Sequence, residues 1–260
     1  MKLAVIFWFY KNVPVCTNHL QILKKHNPDL KIFGLYGGDR ERAEGFRKKL
    51  SPYLDNFYIC PFRGSRWKWF HGDLVLLDWF NKRGKKLRWD SVAIVQWDML
   101  VFDSLQRIFQ GLKKDQIFLS GLRQLSPFIE KRWTWTKKPT RIRRYQYLKF
   151  VDYLKEYYGY KNRLLCCLFI LEVFPRKYFK CFNQVVDKEL GMLEYKVPTY
   201  TKIFGIPFYK KDIGIWWFNN KTAMPLNARV IEVKNNYIKK ELSKKSGWRI
   251  FHPYFKNWAD

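Results

Sequence analysis

Two side chains that can bind a cation follow predicted strands. Asp98 comes directly after residues 92–97, the clearest strand pattern in the chain, and His252 follows a shorter strand pattern at 248–251. A divalent cation prefers oxygen ligands, and a cation bound between protein and diphosphate neutralises the charge that develops on a phosphate leaving group. These residues therefore predict a metal–diphosphate site. The alternatives are an ordinary loop carboxylate at Asp98 and a structural imidazole at His252.

Glu194 is the candidate general base. We place it at the end of a predicted helix, shortly before Pro198. A carboxylate at such a position can accept the proton of an acceptor hydroxyl. An ordinary helix-end residue is the alternative, and Asp187 and Glu189 on the same predicted helix are the substitutes for this role.

Strand and helix patterns alternate in the first half of the chain. The strand patterns are residues 3–9, 31–36, 57–60, 92–97 and 116–119. Because parallel strands joined by right-handed helical crossovers follow from this order, we predict an α/β fold with a mainly parallel central sheet flanked by helices. Ligands of such sheets bind beyond the carboxyl ends of the strands. These ends are residues 10–12, 36–39 and 96–98.

The second half has a mixed pattern. We predict helices around 147–158 and 182–193, extended segments at 199–208 and 228–233, and a closing strand at 248–251. Thr17 is the predicted N-cap of the first helix. No linker or repeat divides the sequence, so residues 1–260 are predicted to form a single domain.

The charge of the chain is strongly positive. Lys and Arg number 50 against 22 Asp and Glu, a net charge of +28. Such a charge attracts nucleic acid, anionic membranes or phosphorylated small molecules. A non-catalytic basic protein that binds nucleic acid or an anionic membrane surface is therefore the alternative to an enzyme. A Lys-rich genome would produce the same charge without a polyanionic partner.

Residues 131–149 contain eight basic residues and no acidic residue, and the stretch also contains Trp133, Trp135 and Tyr145. A solvated loop is one interpretation. A surface for an anionic partner is the other: a phospholipid headgroup, or a lipid-pyrophosphate acceptor, with Trp133 and Trp135 at the interface. Nucleic acid is the weaker choice because no RNA-binding, zinc-finger or helix-turn-helix signature accompanies these residues.

The composition limits the class of protein and the cellular compartment to be expected. Hydrophobic residues make up 47% and aromatic residues 19% of the chain, which excludes a disordered protein. The 5 cysteines form no CxxC pair, and the first residues do not read as a signal peptide. We therefore expect a cytoplasmic protein, with peripheral membrane contact as an option.

Five segments then show a resemblance to a known class: FYKN (9–12), LYGG (35–38), VAIVQWDMLV (92–101), EYKVPT (194–199) and RIFHP (249–253). In this order they resemble the GT-A class of nucleotide-sugar glycosyltransferases. The segment at 92–101 looks like the strand that carries the D-x-D or E-x-D motif. The segment at 194–199 is similar to the one that supplies a base in many inverting members, and RIFHP looks like the C-terminal histidine of the metal site.

The resemblance implies a nucleotide-binding half over residues 1–125 and an acceptor-side half over residues 126–260. It implies transfer of a hexosyl or pentosyl group, with inversion, from a UDP- or GDP-linked sugar to a hydroxyl of a glycan or lipid-linked acceptor. Glu194 would be the base, and Asp98 and His252 would bind Mn²⁺ or Mg²⁺. The implied nucleotide-sugar-binding residues are Tyr10, Lys11, Asn12, Gly37, Gly38, Asp73, Gln96, Trp97 and Asp98.

One position departs from the class. Gln96 stands where the motif has its first acidic residue. Metal binding would then be weaker, or the cation would be held mostly by donor phosphate and water. If no cation is needed, Lys and Arg side chains would stabilise the leaving diphosphate instead. An inactive relative that retains the fold is a further alternative.

Overall fold

The computed structural model describes residues 1–138, 141–218 and 224–259, with Arg141 described by its backbone alone. Strands and helices alternate as far as residue 59, and beyond it they mostly follow one another in pairs or longer runs. In chain order the strands are β1 (Leu3–Phe9), β2 (Lys31–Tyr36), β3 (Asn56–Ile59), β4 (Ser91–Gln96), β5 (Leu100–Val101), β6 (Phe118–Leu119), β7 (Arg123–Gln124), β8 (Leu165–Cys166), β9 (Glu172–Pro175) and β10 (Ile250–Phe251).

The helices flank these strands. In chain order they are α1 (Val13–His26), α2 (Ala43–Leu50), α3 (Ser65–Phe70), α4 (Gly72–Lys82), α5 (Leu105–Ile108), α6 (Pro127–Arg132), α7 (Arg141–Tyr158), α8 (Arg176–Phe182), α9 (Leu193–Ile203) and α10 (Asn235–Ser243). None of the helices in the described part of the chain combines the length and the apolar character that crossing a membrane requires.

The central sheet has six strands in the order β3-β2-β1-β4-β9-β6. β1 pairs in parallel with β2 and β4, and β2 pairs in parallel with β3, whereas β9 is antiparallel to β4 and β6. β4 has apolar side chains from residue 92 to 95, all buried, as expected of a strand covered on both faces. The predicted fold class, a mainly parallel α/β sheet flanked by helices, is confirmed.

The first helix begins earlier than the sequence predicts. Its N-cap is Asn12, which has a left-handed backbone (φ 59) and whose side chain accepts a hydrogen bond from the Val15 backbone N–H at 3.3 Å. Asparagine tolerates this conformation better than most residues. The prediction of Thr17 as the cap was wrong, because Thr17 lies inside the helix and its hydroxyl donates to the Val13 carbonyl.

Three predictions for the second half were also wrong. No continuous helix covers 182–193, because α8 ends at Phe182 and α9 begins at Leu193. Residues 199–203 belong to α9, so the first half of the extended segment predicted at 199–208 is helical. Residues 228–233 contain no strand. The predicted strand at 248–251 is reduced to β10.

A small apolar cluster holds the C-terminal segment against the body of the protein. It joins Leu100 of β5 to Ile238 of α10 and to Phe251, Tyr254 and Trp258 of the C-terminal segment. Phe251 pairs with Leu100 in the antiparallel β5–β10 ladder. This cluster brings the C-terminal segment to the tip of β4.

Candidate active site

A cavity of about 810 Å³ lies beyond the carboxyl ends of β1, β2 and β4. Open parallel sheets bind their ligands at this edge. Five of the residues proposed from the sequence line the cavity: Tyr10, Gly37, Gln96, Glu194 and His252. The strand ends and the acceptor-side half therefore meet at one cavity.

Asp98 and His252 lie side by side at the edge of this cavity. Oδ1 of Asp98 is 3.5 Å from Nε2 of His252, and each side chain is only 10% exposed. Nδ1 of His252 is 3.0 Å from the carbonyl oxygen of Asn227, so this nitrogen must carry the proton that the carbonyl accepts. In the neutral ring, Nε2 then presents a lone pair to the Asp98 carboxylate.

This arrangement suits a bound cation. Oδ1 of Asp98 is buried and has no hydrogen-bond donor within the described residues. An oxygen and a nitrogen acceptor that face each other repel unless a proton or a metal ion lies between them. The bond from Nδ1 to Asn227 is the kind of outer contact that orients metal-binding histidines. Within the described residues no cluster of three or more His, Cys, Asp or Glu side chains completes a metal site. Further ligands would come from donor phosphate or water.

Backbone pairing explains why two residues so distant in sequence meet. The Tyr254 N–H donates to the Asp98 carbonyl at 2.8 Å. Together with the β5–β10 ladder, this bond places the turn after β4 beside the segment after β10. Folding of the C-terminal segment therefore builds the Asp98–His252 pair.

Glu194 lies in the first turn of α9, not at the end of a helix as predicted. Its carboxylate accepts two hydrogen bonds, from Trp135 Nε1 to Oε2 at 2.7 Å and from the Phe169 N–H to Oε1 at 3.0 Å. Burial raises the pKa of Glu194 from 4.5 to about 7, and the two hydrogen bonds limit the rise. A carboxylate with a pKa near neutrality suits a general base.

Pro198 leaves the backbone carbonyl of Glu194 free to accept a hydrogen bond from outside the helix. Proline has no N–H, so the Glu194 carbonyl, four residues earlier in α9, has no helical donor at this position. Instead it accepts a hydrogen bond from the Cys167 N–H at 2.8 Å. A proline inside the helix thus ties the start of α9 to the segment that precedes β9.

Gln96, the departure from the motif, contacts backbone rather than a ligand-binding group. Its Nε2 donates to the carbonyls of Phe169 at 3.1 Å and of Ile170 at 3.4 Å. A carboxylate at this position would face two carbonyl oxygens and would be repelled. The amide is therefore the side chain that this environment requires.

Asp73 does not reach the cavity. Its side chain is 1% exposed, and Oδ2 lies 2.8 Å from Nζ of the fully buried Lys196. Lys196 also donates to the Lys188 carbonyl at 2.8 Å. Because Asp73 starts α4 and Lys196 lies in α9, the ion pair connects two helices behind the cavity wall. This position does not support the predicted contact of Asp73 with a ribose or sugar hydroxyl.

The remaining predicted residues lie around the strand ends. Nζ of Lys11 is over the rings of Tyr10 and Trp97, at 5.4 and 5.0 Å from their centroids. Trp97 itself is buried. Asn12 is engaged as the helix cap, so its side-chain oxygen already has a donor.

The two glycines at the end of β2 allow close packing of protein groups. A Cβ at Gly38 would collide with the Tyr36 hydroxyl and the Tyr10 carbonyl, and one at Gly37 would lie 2.9 Å from Nε1 of Trp8. The glycine requirement therefore follows from neighbouring side-chain and backbone groups, and Gly37 alone of the two lines the cavity.

The sequence-based interpretation missed an aromatic wall. Trp133 and Trp135, predicted to lie at an interface with a phospholipid headgroup or a lipid-pyrophosphate acceptor, are 6% and 3% exposed and line the cavity. Trp217 and Phe218 extend the same wall, with the Trp217 ring centroid 5.2 Å from that of Trp133. The two tryptophans of the basic stretch were the available signal, but no periodicity in the sequence indicated whether their side chains face the cavity or solvent.

Four cations also line the cavity: Arg66, Lys68, Arg132 and Arg229. Glu194 is the single acidic side chain among the described lining residues. The guanidinium group of Arg132 lies over the Phe128 ring at 4.8 Å and forms no salt bridge with any described residue. The cavity is therefore strongly positive.

Comparison with known proteins gives similarities to solved structures only; no protein-family model and no curated sequence matches the chain. The bifunctional glycosyltransferase WbbM is 12% identical, with a TM-score of 0.45, over 98% of this chain and 46% of WbbM. Galactosyltransferase LgtC, solved with donor and acceptor sugar analogues, is 13% identical, with a TM-score of 0.42, over 79% of this chain and 72% of LgtC.

The inositol-1-phosphate CTP transferase from T. maritima is 9% identical, with a TM-score of 0.45, over 80% of this chain and 84% of that protein. The chain spans less than half the length of WbbM. Glycosyltransferases and nucleotidyltransferases are thus among the solved structures similar to this chain.

Proposed function

We propose that this protein transfers a hexosyl or pentosyl group, with inversion, from a UDP- or GDP-linked sugar to an acceptor hydroxyl. The main support is that Glu194 and His252, the latter paired with Asp98, line one cavity at the carboxyl ends of the parallel strands. A general base and a site for a diphosphate are the two elements that this reaction needs.

The chain's own residues account for the acceptor half of the reaction. A hydroxyl beside Glu194 donates its proton to the carboxylate while its oxygen bonds to the anomeric carbon of the donor sugar. The bond from that carbon to the diphosphate oxygen breaks on the opposite face. Trp135 and the Phe169 N–H orient the carboxylate for this proton transfer.

Mn²⁺ or Mg²⁺ is the proposed cofactor, with Asp98 and His252 as its protein ligands. When bound, such an ion neutralises charge on the leaving diphosphate. The unpartnered Oδ1 of Asp98 and the lone pair on Nε2 of His252 support this assignment. Lys68 and Arg66, also on the cavity wall, would add positive charge near the diphosphate.

The acceptor is proposed to be a sugar-bearing molecule with an anionic group. Flat tryptophan rings give sugar rings an apolar contact surface, and the cavity is lined by the buried Trp133 and Trp135 together with the exposed Trp69 and Trp216. Arg132, adjacent to these residues and without a salt-bridge partner among the described residues, suits a carboxylate or phosphate. A lipid-linked acceptor, and with it contact to an anionic membrane, stays a prediction from the sequence.

A nucleotide-binding experiment tests the proposal. Thermal unfolding is followed with UDP, GDP or CMP, each with and without Mn²⁺, on wild type and Asp98→Asn. A nucleotide at about 100 times its Kd stabilises the protein by about 2.7 kcal/mol. We expect one nucleotide to raise the Tm of wild type with Mn²⁺ and to act less on Asp98→Asn. Absence of any effect, together with steeply salt-dependent oligonucleotide binding, would instead support the non-catalytic basic protein.

A further inference from the structure

Gln96 and Glu194 contact the same short turn. This turn, residues 168–171, precedes β9. Gln96 binds it through the carbonyls of Phe169 and Ile170. The backbone N–H of Phe169 donates to Oε1 of Glu194 at 3.0 Å. One peptide segment therefore connects the last side chain of β4 to the candidate base.

The opposite side of the turn is also fixed. The Ser120 hydroxyl donates to the Leu168 carbonyl, and the Leu168 N–H donates to the Ser120 carbonyl at 2.9 Å. Gln96 is the side-chain contact on the cavity side, because it lines the cavity and Ser120 is fully buried. Loss of the Gln96 bonds would free the carbonyls of Phe169 and Ile170 on that side.

We propose that Gln96 is a positioning residue: by binding the turn at 168–171 it holds the Phe169 N–H against the Glu194 carboxylate. An amide is needed for this role, since a carboxylate would repel the two carbonyls. Gln96, which departs from the acidic motif, would then serve to align the Glu194 carboxylate, and its presence would not simply mean that a metal ligand has been lost. The catalytic consequence rests on the function proposed above, whereas the structural coupling does not.

Other titratable groups lie near Glu194, and their ionisation could affect its titration. Glu172 in β9 is buried, and burial raises its pKa well above the ordinary value. The thiols of Cys166 and Cys167 lie close enough to interact with Glu194, and burial raises the pKa of each. These groups are unchanged in the variants below, so differences between variants report on Glu194.

The test follows the protonation of Glu194 through its neighbour Trp135. The indole N–H signal of Trp135 is observed by NMR in protein labelled with ¹⁵N at tryptophan and is assigned through Trp135→Phe. In wild type it should titrate with a midpoint of about 7, and in Glu194→Gln this titration should vanish. In Gln96→Met, loss of the Phe169 bond removes stabilisation of the carboxylate, so the midpoint should rise by about one pH unit.

Two further variants complete the experiment. In Gln96→Glu the introduced carboxyl group can still donate one hydrogen bond when it is protonated, so the Trp135 signal should resemble that of wild type at low pH. Once this carboxyl group ionises the bond is lost, and the midpoint of the Glu194 titration should be raised. Gln106→Met, a matched change at an exposed position on α5, should leave the midpoint unchanged. An unchanged midpoint in both Gln96 variants would overturn the proposal.

Enzyme kinetics separates this inference from the proposed function. If both hold, the acidic limb of the kcat/KM profile in Gln96→Met moves to higher pH together with the NMR midpoint of the free protein. If the NMR midpoint moves but Glu194→Gln retains normal transfer, the coupling stands and the assignment of Glu194 as base fails.

Discussion

Asp98 Oδ1 lies 3.5 Å from Nε2 of His252, with the other ring nitrogen held by the Asn227 carbonyl. The contact depends on the return of the chain end to the tip of β4, which β10 and the bond from Tyr254 secure. Two acceptors are thereby fixed in a position where a cation would relieve their repulsion.

We predict that Asp98→Asn loses Mn²⁺-dependent nucleotide binding and most transfer activity while the fold is retained. The amide cannot supply the negative charge that a divalent cation requires, so metal affinity should fall at least ~10-fold. Isothermal titration with Mn²⁺ and nucleotide measures the loss. Near-normal activity in this variant would remove Asp98 from the site.

The base assignment predicts that Glu194→Gln slows transfer by about 10²–10⁴-fold with little change in nucleotide affinity. The reason is that the amide cannot accept the hydroxyl proton, whereas the donor site is unaltered. Steady-state kinetics with nucleotide titration checks both quantities. An equal loss of binding and rate would mean that Glu194 has a structural role.

Replacement of Asp73 should test the buried ion pair. Asp73→Asn leaves the Lys196 ammonium buried without its counter-charge, which costs about 3–5 kcal/mol in free energy of unfolding. The double variant Asp73→Leu, Lys196→Met should recover most of this stability. Glu44→Gln, which breaks the exposed pair with Arg47, is the control and should change stability by less than about 1 kcal/mol. Urea unfolding measures all three; equal effects of Asp73→Asn and Glu44→Gln would contradict the interpretation.

Arg132→Gln should weaken binding of acidic sugars selectively. We expect methyl β-D-glucuronide to bind wild type about 10-fold more tightly than methyl β-D-glucoside, and this difference to vanish in the variant. Ligand-observed NMR gives both affinities. Arg88→Gln removes an exposed arginine beside the other end of β4 and should leave the preference intact. The same affinity for both sugars in wild type would contradict an anionic acceptor.

Stability should depend on pH through Glu194. Its pKa rises from 4.5 in the unfolded chain to about 7 in the folded protein. The folded state therefore binds the proton more tightly, and the contribution to stability is complete below pH 4.5 and is lost as pH rises through 7. The loss should be on the order of 1–3 kcal/mol. Burial also raises the pKa of Glu172, which is present in both proteins. Denaturant unfolding at several pH values should therefore show a steeper loss of stability in wild type than in Glu194→Gln; the same slope in both would assign the effect elsewhere.

The sheet could be predicted because its strands are continuous apolar runs that end at turn residues. β1 and β4 are examples, and both have the predicted span to within a residue. The proximity of Asp98 and His252 followed from the resemblance and not from spacing, since no local pattern relates the two positions.

The misplaced residues depend on tertiary contacts. Asp73 resembles a helix-start carboxylate until Lys196 is seen buried against it. Trp133 and Trp135 lie in a turn after α6, where no period indicates which side is buried. Gln96 is explained only by carbonyls that come from a segment some seventy residues later in the chain.

The proline inside α9 has a consequence for protein engineering. A proline inside a helix costs a hydrogen bond, so its replacement by alanine would ordinarily be expected to stabilise the helix. Here the restored N–H of Pro198→Ala would compete with Cys167 for the carbonyl of Glu194. The helix would become more regular, but the Glu194 carboxylate would lose its position. A thermostabilised version of this protein should therefore keep Pro198.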